Sequence, residues 1–275
     1  MLTEKTFNTG EMIINYAESE KNGPPLLFLH GITMKWQRMR DVFSAFTEGW
    51  HVYICDFRGH GKSGRASSYK VADYINDTKT FLTQQINEPV ILIGYSLGGL
   101  VSMGLGSLVP DYVRGIVLID PPLISRNAGF EAMSYSFVHS WILRTHRVNM
   151  QNLPIEDVAA ILKEANPGAE DRALLDTAKM LRSVDAGVTA AIINDQLTAD
   201  FSMSSALEAI TCPVLLLHGE ESAGSMVRDS DIDFFKAHVP HGKLEVIRGF
   251  GHEIVFQPAA DICFGHIKEF LETLV

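Results

Sequence analysis

Gly94-Tyr95-Ser96-Leu97-Gly98 spells G-x-S-x-G between a short apolar run, residues 90–94, and the start of an amphipathic stretch. The pattern alone occurs by chance. A buried strand, a sharp turn and a helix in that order are what give it chemistry. A serine on such a turn projects its hydroxyl from the carboxyl end of a sheet. Side chains two residues either way would strike neighbouring backbone, so glycine is favoured there. The turn also aims the Leu97 amide, at the N-terminus of the new helix, toward whatever Ser96 attacks. That donor and the helix dipole would stabilise a developing oxyanion. Ser96 is therefore expected to act as a nucleophile rather than as a simple helix cap. A phosphate loop is the rival: Gly61-Lys62-Ser63 ends like G-x-x-x-x-G-K-[ST], but the first glycine of that motif would fall on Asp56. The rival fails.

The flanking elements must hold that turn. Residues 5–8 and 12–17 pattern as an opening hairpin, and 26–30 and 51–57 as buried strands. Val71, Tyr74, Ile75, Thr78, Phe81 and Leu82 follow helical spacing before the strand at 90–94. Leu97, Leu100, Val101, Leu105, Leu108 and Val109 mark one face of the helix after Ser96, which Pro110 closes, and residues 114–120 form the next strand. Strands alternating with helices predict an α/β protein with a mostly parallel sheet covered on both faces. From Pro121 to Ile210 only helical patterns appear. Strands then resume at 213–219 and 243–249, before a last helix carrying Cys263, Ile267, Phe270 and Leu274. The expected organisation is a core of residues 1–122 and 209–275, with residues 123–208 inserted as an all-helical cap over the sheet.

The bulk properties exclude several classes. The 275 residues are 46% hydrophobic and 20% charged, an ordinary globular composition with ample core. A formal charge of −10 and the lack of any Lys/Arg cluster argue against nucleic acid as a partner. No apolar run is long enough for a membrane span. Cys55, Cys212 and Cys263 are few, odd in number and in apolar contexts, so buried thiols in a reducing compartment are expected. The first residues lack the basic and apolar regions of a secretion signal, and a cytoplasmic location is expected. Nothing in the sequence specifies an oligomeric state.

Taken in order, His30-Gly31, Asp56-x-Arg58-Gly59-His60-Gly61-x-Ser63, Gly94-x-Ser96-x-Gly98 and Gly249-Phe250-Gly251-His252 resemble the α/β-hydrolase superfamily over nearly the whole chain. The resemblance implies a second oxyanion donor, the Ile32 amide, in the loop after the His30-Gly31 strand, and a catalytic histidine after the last strand. Of the 10 histidines, only His252 stands on a glycine-rich loop at that place, where it could take the serine proton and return it. His30, His60 and His218 lie at strand ends and suit structural hydrogen bonds. His51, His238, His241 and His266 read as surface or helix residues, and His139 and His146 fall in the insertion.

The third member departs from the family pattern. The resemblance puts an acid three residues beyond the glycine at 219, yet that position is Ser222. Glu220 and Glu221 are close but out of phase. Some family members draw the acid from the end of the strand before the cap, which here is Asp120. A carboxylate there, at the same sheet edge as Ser96, could receive the Nδ1–H of His252. Asp120 is favoured, with Glu220 or Glu221 as the alternative.

These parts serve acyl transfer to water with no metal or organic cofactor, and no H-E-x-x-H or Cys/His cluster suggests one. The expected substrate is a small molecule, a largely neutral or apolar ester or lactone. Met34, Trp36, Tyr95, Leu123, Phe137 and Trp141 are candidate pocket walls. No arginine pair announces a carboxylate substrate, although Arg126 or Arg144 could serve. Carbon–carbon bond hydrolysis, hydroxynitrile cleavage, cofactor-free peroxidase activity and ligand sensing on the same fold stay open.

Overall fold

The computed structural model describes residues 2–123, 129–133 and 137–274. Alternation along its strands sorts the apolar side chains to two faces. Leu27, Leu29, Leu92, Leu118 and Leu216 enter one core cluster, while Leu26, Phe28, Ile93, Val117 and Leu217 enter another. This is the period of two expected of strands buried on both sides. Among the described residues the strands are β1 (Thr3–Asn8), β2 (Ile13–Glu18), β3 (Pro25–Leu29), β4 (His51–Cys55), β5 (Val90–Tyr95), β6 (Val113–Ile119), β7 (Val214–His218) and β8 (Lys243–Val246). They form one sheet in the order β1-β2-β4-β3-β5-β6-β7-β8. The first two pairings, β1 with β2 and β2 with β4, are antiparallel, and all others are parallel.

The helices, in chain order, are α1 (Arg40–Ser44), α2 (Val71–Thr80), α3 (Leu97–Leu108), α4 (Phe137–Met150), α5 (Ile155–Ala165), α6 (Asp171–Arg182), α7 (Ala186–Ile193), α8 (Met203–Glu208), α9 (Asp229–His238) and α10 (Ala260–Glu272). Tyr74 and Ile75 of α2, Leu100 and Val101 of α3 and Phe235 of α9 cover the first face. Cys263, Ile267 and Phe270 of α10 cover the other. Helices α4 to α8 all fall between β6 and β7. Val148, Val158, Leu162, Leu174 and Leu181 give α4, α5 and α6 a small core of their own.

Three expectations need correction. β4 ends at Cys55 rather than residue 57, and β8 at Val246 rather than 249, because Gly249 turns at φ 79° and leads the chain off the sheet. His51 is not a surface residue: it is buried at the start of β4, its ring 4.2 Å from that of Tyr53.

The loop after β4 is a scaffold. Asp56, fully buried, accepts from the amides of Trp36 (2.7 Å) and Lys62 (3.1 Å) and from Asn15 Nδ2 (2.8 Å). Arg58 forks onto Asp77 of α2 with contacts of 2.6 and 2.7 Å, the bidentate geometry that makes a buried ion pair tolerable. Gly59, Gly61 and Gly64 have dinucleotide-loop spacing. No helix opens there, however, since α2 begins at Val71, so the helix N-terminus that would hold a phosphate is missing.

Candidate active site

Ser96 sits between β5 and α3 with φ 54° and ψ −115°. A non-glycine residue at positive φ is strained and persists only where its surroundings over-determine it. Here the surroundings are close. A Cβ on Gly98 would lie 2.0 Å from the Leu29 carbonyl oxygen, so only glycine lets α3 press onto the end of β3. The Ser96 amide donates to the Ile119 carbonyl at 2.9 Å, tying the turn to β6. Leu97 is the first residue of α3, so its amide is among those a helix leaves without an internal acceptor.

The β6 strand supplies the carboxylate. Asp120 follows it directly, fully buried and at φ 44°. One of its oxygens accepts from Ser225 Oγ and, at 3.2 Å, from the Gly219 amide. The other accepts from the Met226 amide at 2.7 Å and from His252 Nδ1 at 2.7 Å. Asp120 and His252 are 132 positions apart in the chain. Asp120 is the carboxylate that meets His252 among the described residues. Glu220 instead accepts from the Gly249 amide and lies 3.6 Å from Arg248, while Glu221 accepts from the Asp229 amide. Ser222 is exposed. Ser225, unnoticed in the sequence, closes the carboxylate's hydrogen bonding; a serine in an aperiodic loop carries no signal of it.

Tyr95 holds the histidine from below. Its ring stacks on that of His252 at 4.8 Å and 26°, and its hydroxyl donates to the His252 carbonyl at 3.2 Å. Burial pushes the phenol well above its ordinary value, with Asp120 adding to the effect, so Tyr95 stays a donor. Ser96 and His252 both open on one cavity. Met34, Tyr95, Phe137 and Trp141 line it, as do Ile32, Thr177 and Met180. Trp36 and Leu123 do not, and the expectation for them is corrected. Trp36 is buried in the core under the sheet, its Nε1 donating to Glu4 at 2.9 Å. Leu123 turns inward straight after β6 and is fully buried. Arg144 lies on α4 but is not part of the lining, and Arg126 falls outside the described residues.

The loop bearing Ile32 is clamped at the next residue. Thr33 has φ 65°; its amide donates to His60 Nε2 at 3.1 Å, and its hydroxyl accepts from Trp141 Nε1 at 2.9 Å. His60 Nδ1 donates to the Arg58 carbonyl, which fixes the tautomer. His30 repeats the arrangement, donating to the Gly31 carbonyl and accepting from the Phe57 amide. Burial lowers both imidazoles, and His30 lowers His60 further, so both are neutral acceptors. A folded-state value below the unfolded 6.5 means the unfolded chain binds more protons in that window, so stability is full above 6.5 and lost as pH falls below it. Each histidine then costs at most about 1.4 kcal/mol per pH unit. Thermal unfolding from pH 7.5 down to 5 should show a falling midpoint, with a shallower fall in His60→Gln. An equal fall in the variant would sever this dependence from His60.

The family model described as serine aminopeptidase, S33, matches residues 23–259. The chain is 28% identical over 224 residues to a 2-(acetamidomethylene)succinate hydrolase of Mesorhizobium japonicum, covering 78% of this chain and 76% of that protein. It is 22% identical over 253 residues to a monoacylglycerol lipase of Mycolicibacterium smegmatis, covering 90% and 87%. The crystal structure of an E-2-(acetamidomethylene)succinate hydrolase superposes with a TM-score of 0.79 at 24% identity, covering 99% of this chain and all of that one. At that identity the superposition speaks for the fold. Among the described residues no helix is long and apolar enough to cross a membrane.

Proposed function

Because the chain belongs to the serine aminopeptidase S33 family of α/β-hydrolases, we propose that it is a serine hydrolase cleaving carboxylic esters or lactones through an acyl-enzyme on Ser96. In this reading Ser96 Oγ attacks the acyl carbon while His252 Nε2 takes its proton. Asp120 orients His252 and stabilises its imidazolium. The Ile32 and Leu97 amides hold the oxyanion. His252 gives the proton to the leaving alcohol, and a water activated by His252 then releases the acid. No metal or organic cofactor takes part.

One observation carries the reading: His252, hydrogen-bonded to a buried Asp120, opens with the strained Ser96 on a single cavity. The residues 123–208 would then act as a cap, with Phe137, Trp141 and Met180 excluding water from the acyl-enzyme. The partner is a small molecule, not nucleic acid. A cytoplasmic setting suits three free cysteines. The relatives' names divide between a lipase and a hydrolase named for 2-(acetamidomethylene)succinate, so esters, lactones and non-ester acyl compounds belong in one substrate screen.

Intact mass after exposure to a fluorophosphonate tests the reading. The serine oxygen displaces fluoride from phosphorus, so wild type should gain one adduct that Ser96→Ala lacks. A folded wild type that gains no adduct would overturn it.

A further inference from the structure

Among the described residues the cavity has one arginine or lysine in its lining, Arg38. Arg38 follows the clamped loop in a short 3₁₀ turn, Trp36–Met39, whose first amide is held by the buried Asp56. It lines the same cavity as Ser96 and His252. Its guanidinium carbon lies 4.0 Å over the Phe256 ring, and Phe256 in turn meets Tyr95 edge-on at 6.1 Å. The planar cation is thus propped on a ring that belongs to the His252 support, its orientation set before any ligand arrives. Its fork of donors joins no ion pair among the described residues. Lys35 and Arg40 flank it in a chain whose net charge is −10. Arg38 is exposed, yet its guanidinium packs on Phe256 at the lining of the Ser96 cavity rather than on a carboxylate.

We propose that Arg38 is a specificity-determining residue that binds a carboxylate carried by the substrate, several bonds away from the scissile acyl carbon. This rests on the acyl-hydrolase reading above and narrows its substrate class from neutral esters to esters bearing one anionic group. The guanidinium offers two parallel N–H donors to the carboxylate, which anchors the molecule while the apolar part lies against Phe137, Val138 and Trp141. Glu253, also in the lining, sets a boundary: its negative charge repels a carboxylate placed on its own side and so restricts the pose to the Arg38 side. Arginine, rather than lysine, is required, because the stacked and forked geometry is not available to an ammonium group.

Two matched probe pairs test this at low ionic strength. In one, the acyl part is charged or neutral: 4-nitrophenyl hydrogen adipate against its methyl ester. In the other, the alcohol part is: 4-acetoxyphenylacetic acid against phenyl acetate. For at least one pair, wild type should prefer the acid in kcat/KM. Arg38→Met should lose about tenfold or more on that acid, mainly through KM, with less than a threefold change on the neutral ester. Arg38→Lys should recover only part of the loss. Equal losses on acid and neutral ester, or no preference for either acid in wild type, would overturn the assignment. Failure to hydrolyse any of the four esters, with no fluorophosphonate adduct, would instead sink the acyl-hydrolase reading beneath it.

Discussion

Ser96→Ala is expected to lower kcat for the best ester substrate by about ten-thousandfold to a millionfold, leaving only what binding and backbone donors supply. The expectation follows from how little else in the cavity could attack. The cysteine thiols are remote from it and pushed up by burial, Cys212 to about 11 and Cys263 to about 12. Thr33 and Thr177 share the lining, but the Thr33 hydroxyl is engaged with Trp141. Removing one oxygen leaves the backbone of the turn unchanged, so the variant should fold with its cavity intact. His252→Ala should cost nearly as much, and the double variant little more than either alone, because a base without its nucleophile has nothing to activate. Steady-state rates on the four proteins decide it. Losses that multiply would mean that the two residues act independently, contrary to the proposal.

The second large effect concerns the acid. Asp120→Asn should reduce kcat by about a thousandfold to ten-thousandfold, with the fold retained. An amide NH₂ facing Nδ1 would force the imidazole into the wrong tautomer, leaving Nε2 protonated and unable to accept from Ser96. The cost does not stop there. The carboxylate now accepts from Ser225, Met226 and Gly219 as well as from His252, and an asparagine cannot accept from all of them. A loss of about 1–3 kcal/mol in urea unfolding should accompany the kinetic effect. Glu220→Gln, which alters a surface link to Gly249 and Arg248, should change kcat less than twofold. Full activity in Asp120→Asn with collapse in Glu220→Gln would reverse the assignment.

Short continuous apolar runs made the sheet legible. Runs such as Val90–Tyr95, bounded by glycine, proline or charge and alternating with helical patterns, point to strands buried on both faces. The ends of β4 and β8 were less legible because side-chain pattern continues past the last ladder bond, and only the turn at Gly249 stops the strand. Ser96 and Asp120 could be named because each follows a strand directly, and His252 because it stands on the glycine-rich loop after the last strand; parallel strands bring their carboxyl ends to one edge. Loop-borne partners had no such marker. Ser225 and Arg38 sit in segments without period, and their roles depend on where the chain folds back. The pocket walls show the same limit. Trp36 and Phe137 are alike on paper, but one is drawn into the core by Asp56 and Glu4 while the other faces the cavity.

The placement of α4 to α8 between β6 and β7 also bears on how the chain is made. When β6 leaves the ribosome, its neighbour on the far side does not yet exist, and the whole helical segment must be synthesised before β7 arrives. During that interval Ile116, Val117, Leu118 and Ile119 form an open, apolar sheet edge with unpaired amides and carbonyls. A nascent or truncated chain ending before residue 213 would carry this edge permanently and should aggregate through it. The same edge holds Asp120, whose amide finds its acceptor only when the Leu217 carbonyl docks at 2.7 Å. Protection from self-association and the anchoring of the Asp120 backbone are therefore acquired in one late event, the seating of β7, while His252 arrives later still.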